Sequence, residues 1–185
     1  RIPMEIFVAW DMLIRYGKEN LVSLVNSYHQ QKRMEERLKL DSYTNLYNKK
    51  TFDDYFPALY EKCKNNHIPL CLAIIDIDHF KQINDVYGHI IGDRVLLYLT
   101  QIFKSNETEN IKIFRIGGEE FALTFQNHLI EDALHICEKM RFIMESSIIP
   151  DIDKKGVTFS CGLVCSDKRF SGPHNLAKAA DTALY

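Results

Sequence analysis

Two short segments concentrate the side chains able to do chemistry. Residues 70–75 are consecutive apolar residues, and they run directly into Asp76–Ile77–Asp78. A carboxylate at the end of a buried strand is costly unless something pairs with it. Alternation along a strand puts Asp76 and Asp78 on one face, with Ile77 opposite. Further on, Gly117–Gly118 is followed at once by Glu119–Glu120–Phe121. Paired glycines between apolar runs predict a tight hairpin turn at positive φ. Taken alone, each segment has a bland explanation: Asp78 as a helix N-cap, and the glutamates as solvated turn residues. The N-cap does not explain Asp76. If the first strand lies beside the hairpin, Asp76 and Glu119 face one another. Two such carboxylates stay ionised together only around a cation; otherwise one holds a proton. Oxygen ligands select Mg²⁺ or Mn²⁺, and the Ile77 carbonyl is a further candidate ligand. Mg²⁺ keeps positions for water and substrate phosphates, so this pattern predicts phosphoryl or nucleotidyl transfer by one or two metal ions.

Lys81, just beyond the aspartates, is placed to hold phosphate oxygens as charge builds up, or is simply a solvated helix lysine. Asn84 and Asp93 can hydrogen-bond the donor-rich edge of guanine, or serve as caps near helix ends. His89, by itself, reads as a structural histidine.

These residues need elements to position them. Residues 1–40 read as a helical linker, with Pro3 suited to a first helical turn. Leu21, Leu24, Val25, Tyr28, Met34 and Leu38 form a thin apolar stripe at helical spacing. Gln31 and Glu35 interrupt its possible coiled-coil seam. Residues 41–185 read as helix, strand, helix, strand–strand hairpin, helix, strand, helix. That order predicts an α+β, ferredoxin-like domain: a mainly antiparallel central sheet with helices packed on it, preceded by an N-terminal helical stalk. The net charge of −2 argues against a general grip on nucleic acid. The five cysteines include no metal-binding CxxC pair and are expected to be buried free thiols. No apolar run approaches the roughly 20 residues of a bilayer span. The chain starts at Arg1 and stops at Tyr185 within a helical pattern, which reads as a fragment of a longer protein.

The segment DIDHFKQINDVYGHIIGD (76–93), followed by RIGGEEF (115–121), resembles the GGDEF family of diguanylate cyclases. The stretches DSYTNLYNKKTF (41–52) and ADTALY (180–185) are similar to that family's entry segment and closing helix. The resemblance implies a palm-like fold akin to the class III nucleotide cyclases. It implies condensation of two GTP into cyclic di-GMP and two pyrophosphates by a homodimer of half-sites, in a cytoplasmic catalytic domain under an upstream sensor. It also assigns roles. Asp76, the Ile77 carbonyl and Glu119 would bind Mg²⁺ or Mn²⁺, with Glu119 also the base. Lys81 would stabilise phosphate charge. Asn84, His89 and Asp93 would bind the nucleotide. Gly117, Gly118, Glu120 and Phe121 would form the signature loop. The family's RxxD product-inhibition site would fall at Thr108 and Ile111, where both residues differ, so it is expected to be absent. The family's basic phosphate contacts would follow just after Tyr185. An inactive, GTP-binding regulatory module of the same family is the alternative reading.

Overall fold

The structure, a computed structural model, describes residues 4–152, 156–167 and 169–184. Pro3 and Tyr185, to which the sequence assigns a first helical turn and the end of the closing motif, lie outside the described residues. The chain divides into two compact units, Arg1–Lys39 and Leu40–Tyr185.

The first unit contains α1 (Met4–Leu38), which carries Arg37 in its last turn, where a cation complements the helix dipole. Among its described side chains, Trp10, Ile14, Leu21, Leu24, Tyr28 and Leu38 are exposed. Gln31 and Glu35 hydrogen-bond to each other one turn apart.

The second unit opens with a short strand, β1 (Tyr47–Asn48), that leads into α2 (Lys49–Asn65). Asn48 caps this helix, its side chain accepting from the Thr51 amide at 2.9 Å. There follow β2 (Leu70–Ile77), α3 (Phe80–Tyr87), α4 (His89–Lys104), β3 (Ile111–Arg115), β4 (Glu120–Gln126), α5 (Ile130–Ser146), β5 (Phe159–Cys165) and α6 (Pro173–Leu184). The strands form one sheet in the order β1-β3-β4-β2-β5. Every pairing is antiparallel except the short parallel one between β1 and β3. The expected α+β plan is therefore observed, with one strand more than the sequence predicts. A two-residue strand is too short to show alternation.

Strand β2 lies inside the sheet, between β4 and β5, and helices cover both of its faces. Cys71, Ala73, Ile75 and Ile77 pack with α4 and α5, including Leu99, Phe103 and Met140. Leu70, Leu72 and Ile74 pack with α2 and α6, including Phe56, Leu59 and Leu176. Burial on both faces explains why the run is apolar throughout rather than alternating. Gly162 of β5 lets α6 approach closely: a Cβ there would stand 2.0 Å from the Ala180 carbonyl oxygen.

Two sequence expectations need correction. Cys71 and Cys165 are paired as a disulfide rather than free, because strand register sets them directly opposite each other. Cys63, Cys137 and Cys161 are free. The Gly117–Gly118 turn is also different: neither glycine has positive φ. The hairpin loop runs from Ile116 to Glu119, closed by the Ile116 and Gly117 amides donating to the Glu120 carbonyl at 2.9 and 3.2 Å.

Candidate active site

The site lies where β2 ends beside the β3–β4 turn. Register pairs Asp76 with Glu120 on one side and with Ser160 on the other. Asp76 is thus the first polar residue of a strand whose preceding residues are buried. Burial raises its carboxyl, and the neighbouring charges of Glu119, Glu120 and Asp78 raise it further, to about 6. The charge of Glu119 is therefore felt at Asp76. The structure adds Glu120, opposite Asp76 in the ladder. Its carboxylate also explains Gly117: a Cβ there would lie 2.3 Å from the Glu120 Oε2 atom.

This crowding of acids suits a divalent cation. Among the described residues, no three His, Cys, Asp or Glu side chains form a metal cage by themselves. An ion here would rest on few protein oxygens and complete its shell from water and phosphate, the habit of Mg²⁺. Asp78 is placed differently from its expected N-cap role. His79, in the left-handed region at φ 57°, occupies the N-cap position of α3 and makes no side-chain cap bond. Asp78 instead accepts hydrogen bonds from the Thr158 and Ser160 hydroxyls, and its amide donates to the Thr158 carbonyl at 3.0 Å. It ties the end of β2 to β5 and so holds Asp76 in place.

Lys81 is exposed in the first turn of α3, and His89 is exposed at the start of α4. Among the described residues, neither makes a hydrogen bond or ion pair to Asp76, Glu119, Asn84 or Asp93. Asn84 and Asp93 stand on the two helices joined at Gly88, whose φ of 83° turns the chain between them. Asn84 crosses the backbone of Gly92: a Cβ on Gly92 would be 2.0 Å from the Asn84 Oδ1 atom. Asn84 is thereby brought beside the residue that precedes Asp93. Glycine is costly inside a helix, and its presence immediately before Asp93 was a sequence signal for this approach.

A second group emerges only in the fold. Arg115 pairs with Asp41 at 3.0 Å and donates to the Gly118 carbonyl at 2.7 Å, bracing the signature turn from behind. Burial alone would raise the Asp41 carboxyl, but hydrogen bonds from the Thr44 hydroxyl and amide, together with Arg115, hold it below the usual carboxylate range. Lys104 fastens the same segment by donating to the Thr44 carbonyl at 2.9 Å. Tyr43 places its ring under the Arg115 guanidinium, 5.8 Å from its centroid.

Comparison with known proteins agrees with the fold. The coiled coil and GGDEF domain of DgcB from Caulobacter crescentus, solved in complex with c-di-GMP, superposes with a TM-score of 0.86. It shares 25% identity and covers 94% of this chain and 92% of that one. The active GGEEF domain of a diguanylate cyclase from Vibrio cholerae gives a TM-score of 0.70 at 30% identity, covering 75% of this chain and 88% of that one. An uncharacterized membrane protein of Staphylococcus aureus (strain USA300) is 34% identical over 171 residues, 90% of this chain. The chain spans about half the length of such curated relatives (46%), and no helix among its described residues is long and apolar enough to cross a membrane. The model of the family described as "Diguanylate cyclase, GGDEF domain" matches residues 38–185, and the chain belongs to that family, with its palm fold.

Proposed function

We propose that this protein is a diguanylate cyclase that condenses two GTP molecules into cyclic di-GMP and two pyrophosphates. The observation that carries the reading is the convergence of Asp76 with Glu119 at the signature turn, where crowded acids push the Asp76 carboxyl to about 6. Asp76, Glu119 and the Ile77 carbonyl would hold Mg²⁺ or Mn²⁺. Such ions supply charge neutralisation at the triphosphate and template the attacking and leaving oxygens.

The chain's own residues divide the remaining work. Glu119 accepts the proton of the ribose 3′-hydroxyl. Lys81 offsets charge on the phosphates. Asn84 and Asp93 read the guanine edge, and His89 contributes to nucleotide binding. Gly117 leaves room for Glu120, and Phe121, fully buried, anchors the strand behind the turn. Each 3′-hydroxyl attacks the α-phosphorus of the other GTP, forming an O–P bond as the bond to pyrophosphate breaks. The product is two-fold symmetric, so a homodimer presenting two half-sites is the natural catalyst, making the reaction effectively unimolecular. The exposed apolar stripe of α1 supports this reading, as a dimerising stalk below an upstream sensor. On this reading the catalytic domain would work in the cytoplasm, where GTP is available. Neither Arg nor Asp stands at positions 108 and 111, so product inhibition through an RxxD site is not expected.

The alternative, an inactive GTP-binding module, is disfavoured because Asp76, Glu119 and Glu120 are all present and meet in the fold. Product analysis with GTP and Mg²⁺ tests the proposal. The full-length protein is expected to yield cyclic di-GMP and pyrophosphate, and Glu119→Gln to lose at least about a hundredfold in rate. A wild-type protein that binds GTP without turning it over establishes the alternative.

A further inference from the structure

Strand β2 ends in a clasp. The Asp78 amide donates to the Thr158 carbonyl at 3.0 Å, while the Thr158 and Ser160 hydroxyls donate to the two Asp78 carboxylate oxygens, at 2.5 and 2.6 Å. Three bonds thus fasten one residue to β5, two of them strengthened by the carboxylate charge. The clasp sits at a demanding place. One residue later, His79 turns the chain at φ 57°, a left-handed conformation that a non-glycine residue keeps only where its surroundings hold it. One residue earlier is the Ile77 carbonyl. In the trans peptide unit joining Ile77 to Asp78, the carbonyl and the amide N–H point in opposite directions. With that N–H fixed on β5, the carbonyl is aimed at the other side of β2. Strand β4 lies on that side, in a register that sets Asp76 opposite Glu120 and makes Glu119 the next residue along.

We infer that Asp78, clasped by Thr158 and Ser160, is a positioning residue of the metal site: it aims the Ile77 carbonyl toward the signature turn and keeps its own carboxylate out of the ion's coordination shell. The inference rests on the reading of Asp76, Glu119 and the Ile77 carbonyl as metal ligands. A backbone carbonyl has no rotamer of its own to adjust. Its aim is set by the peptide plane, and here the clasp sets the plane. Alternation along β2 puts Asp78 on the same face as Asp76, so an unrestrained Asp78 carboxylate would compete for the ion and draw it away from Glu119. One hydroxyl on each oxygen holds that carboxylate toward β5 and leaves its charge in place to attract a cation. Groups that support ligands without touching the metal typically alter its affinity about ten- to hundredfold. Metal binding would thereby depend on β5, a strand that carries none of the proposed ligands.

The test titrates Mn²⁺ into the full-length protein with GDP, free Mn²⁺ being counted by electron paramagnetic resonance. No turnover is required. Combining Thr158→Val with Ser160→Ala removes both hydroxyls and alters no proposed ligand. It is expected to weaken Mn²⁺ binding about tenfold or more, while GDP affinity without metal holds, which separates a misaimed ligand from a collapsed site. Thr158→Ser keeps the donor and is expected to bind Mn²⁺ as the wild type does. In an Asp78→Ala background, removing the hydroxyls is expected to add little, because coupled residues are not additive. Where the double variant is too unstable to titrate, Ser160→Ala alone, at an exposed position, carries the test with an expected loss of roughly threefold. Unchanged Mn²⁺ affinity in the folded variants overturns the inference. So does tighter binding, which would mark Asp78 as a ligand that the hydroxyls restrain, or an undiminished effect in the Asp78→Ala background. Wild-type protein that takes up no Mn²⁺ with GDP overturns the functional reading itself, and this inference with it.

Discussion

Gly92→Ala should separate nucleotide recognition from stability. The added Cβ would stand 2.0 Å from the Asn84 Oδ1 atom and 2.9 Å from its Cγ, while its next neighbour, Phe80 Cζ, lies at an acceptable 3.4 Å. Both offending atoms belong to the end of a flexible side chain. The clash is therefore relieved when the Asn84 amide retreats by about 1 Å or more, to ordinary contact distance. The backbone gains, since Gly92 sits inside α4 without positive φ and alanine in a helix is favoured over glycine by about 0.5–1 kcal/mol. In a chain of this size 1 kcal/mol moves the melting temperature by about 2–4 °C, so the variant should melt between its present temperature and about 4 °C higher. Recognition loses the Asn84 hydrogen bond to guanine, about 0.5–1.5 kcal/mol, or about two- to twelvefold in affinity. Scanning calorimetry and GDP titration with Mg²⁺ measure the two effects on one sample. Asn84→Ala should weaken GDP comparably, and combining it with Gly92→Ala should add little. Unaltered GDP affinity in Gly92→Ala, beside a clear loss in Asn84→Ala, would refute the steric reasoning. A melting temperature several degrees lower would show that the backbone, not Asn84, had yielded.

Other expectations follow from the same contacts. The Asp76 carboxyl titrates near 6 in the folded protein, above its ordinary value of 3.8, so the folded state binds the extra proton between those limits and metal-free stability declines as pH rises from about 4 to about 6. Asp76→Asn should remove that slope in denaturant titrations and stabilise the metal-free protein at pH 7 by roughly 1 kcal/mol, after allowance for solvent screening, while abolishing activity. A less stable variant at pH 7 would contradict the crowding of acids. Gly162→Ala has no flexible neighbour to displace, since its Cβ would meet the α6 backbone at Ala180 and Leu184. Denaturation should show a loss of about 1–3 kcal/mol, and unchanged stability would mean that α6 can move off β5.

Local order was largely legible in the sequence. The apolar run ending in Asp76, the cap at Asn48 and the glycine–glutamate turn depend on near neighbours, and neighbours are what a sequence displays. The approach of Asp76 to the Glu119–Glu120 turn could be anticipated because an acid ending a buried strand demands compensation wherever it can be found. What the tertiary structure alone decided involves contacts between residues far apart in the chain. Cys71 meets Cys165, Asp78 meets Thr158 and Ser160, and Arg115 meets Asp41. No spacing rule links such positions, since each meeting depends on strand register and on which helix covers which face. The conformation of the Gly117–Gly118 turn is not legible in the sequence for a related reason. Glycine allows positive φ but does not impose it, and here the carboxylate of Glu120, folded back over the turn, fills the space that a side chain on Gly117 would take.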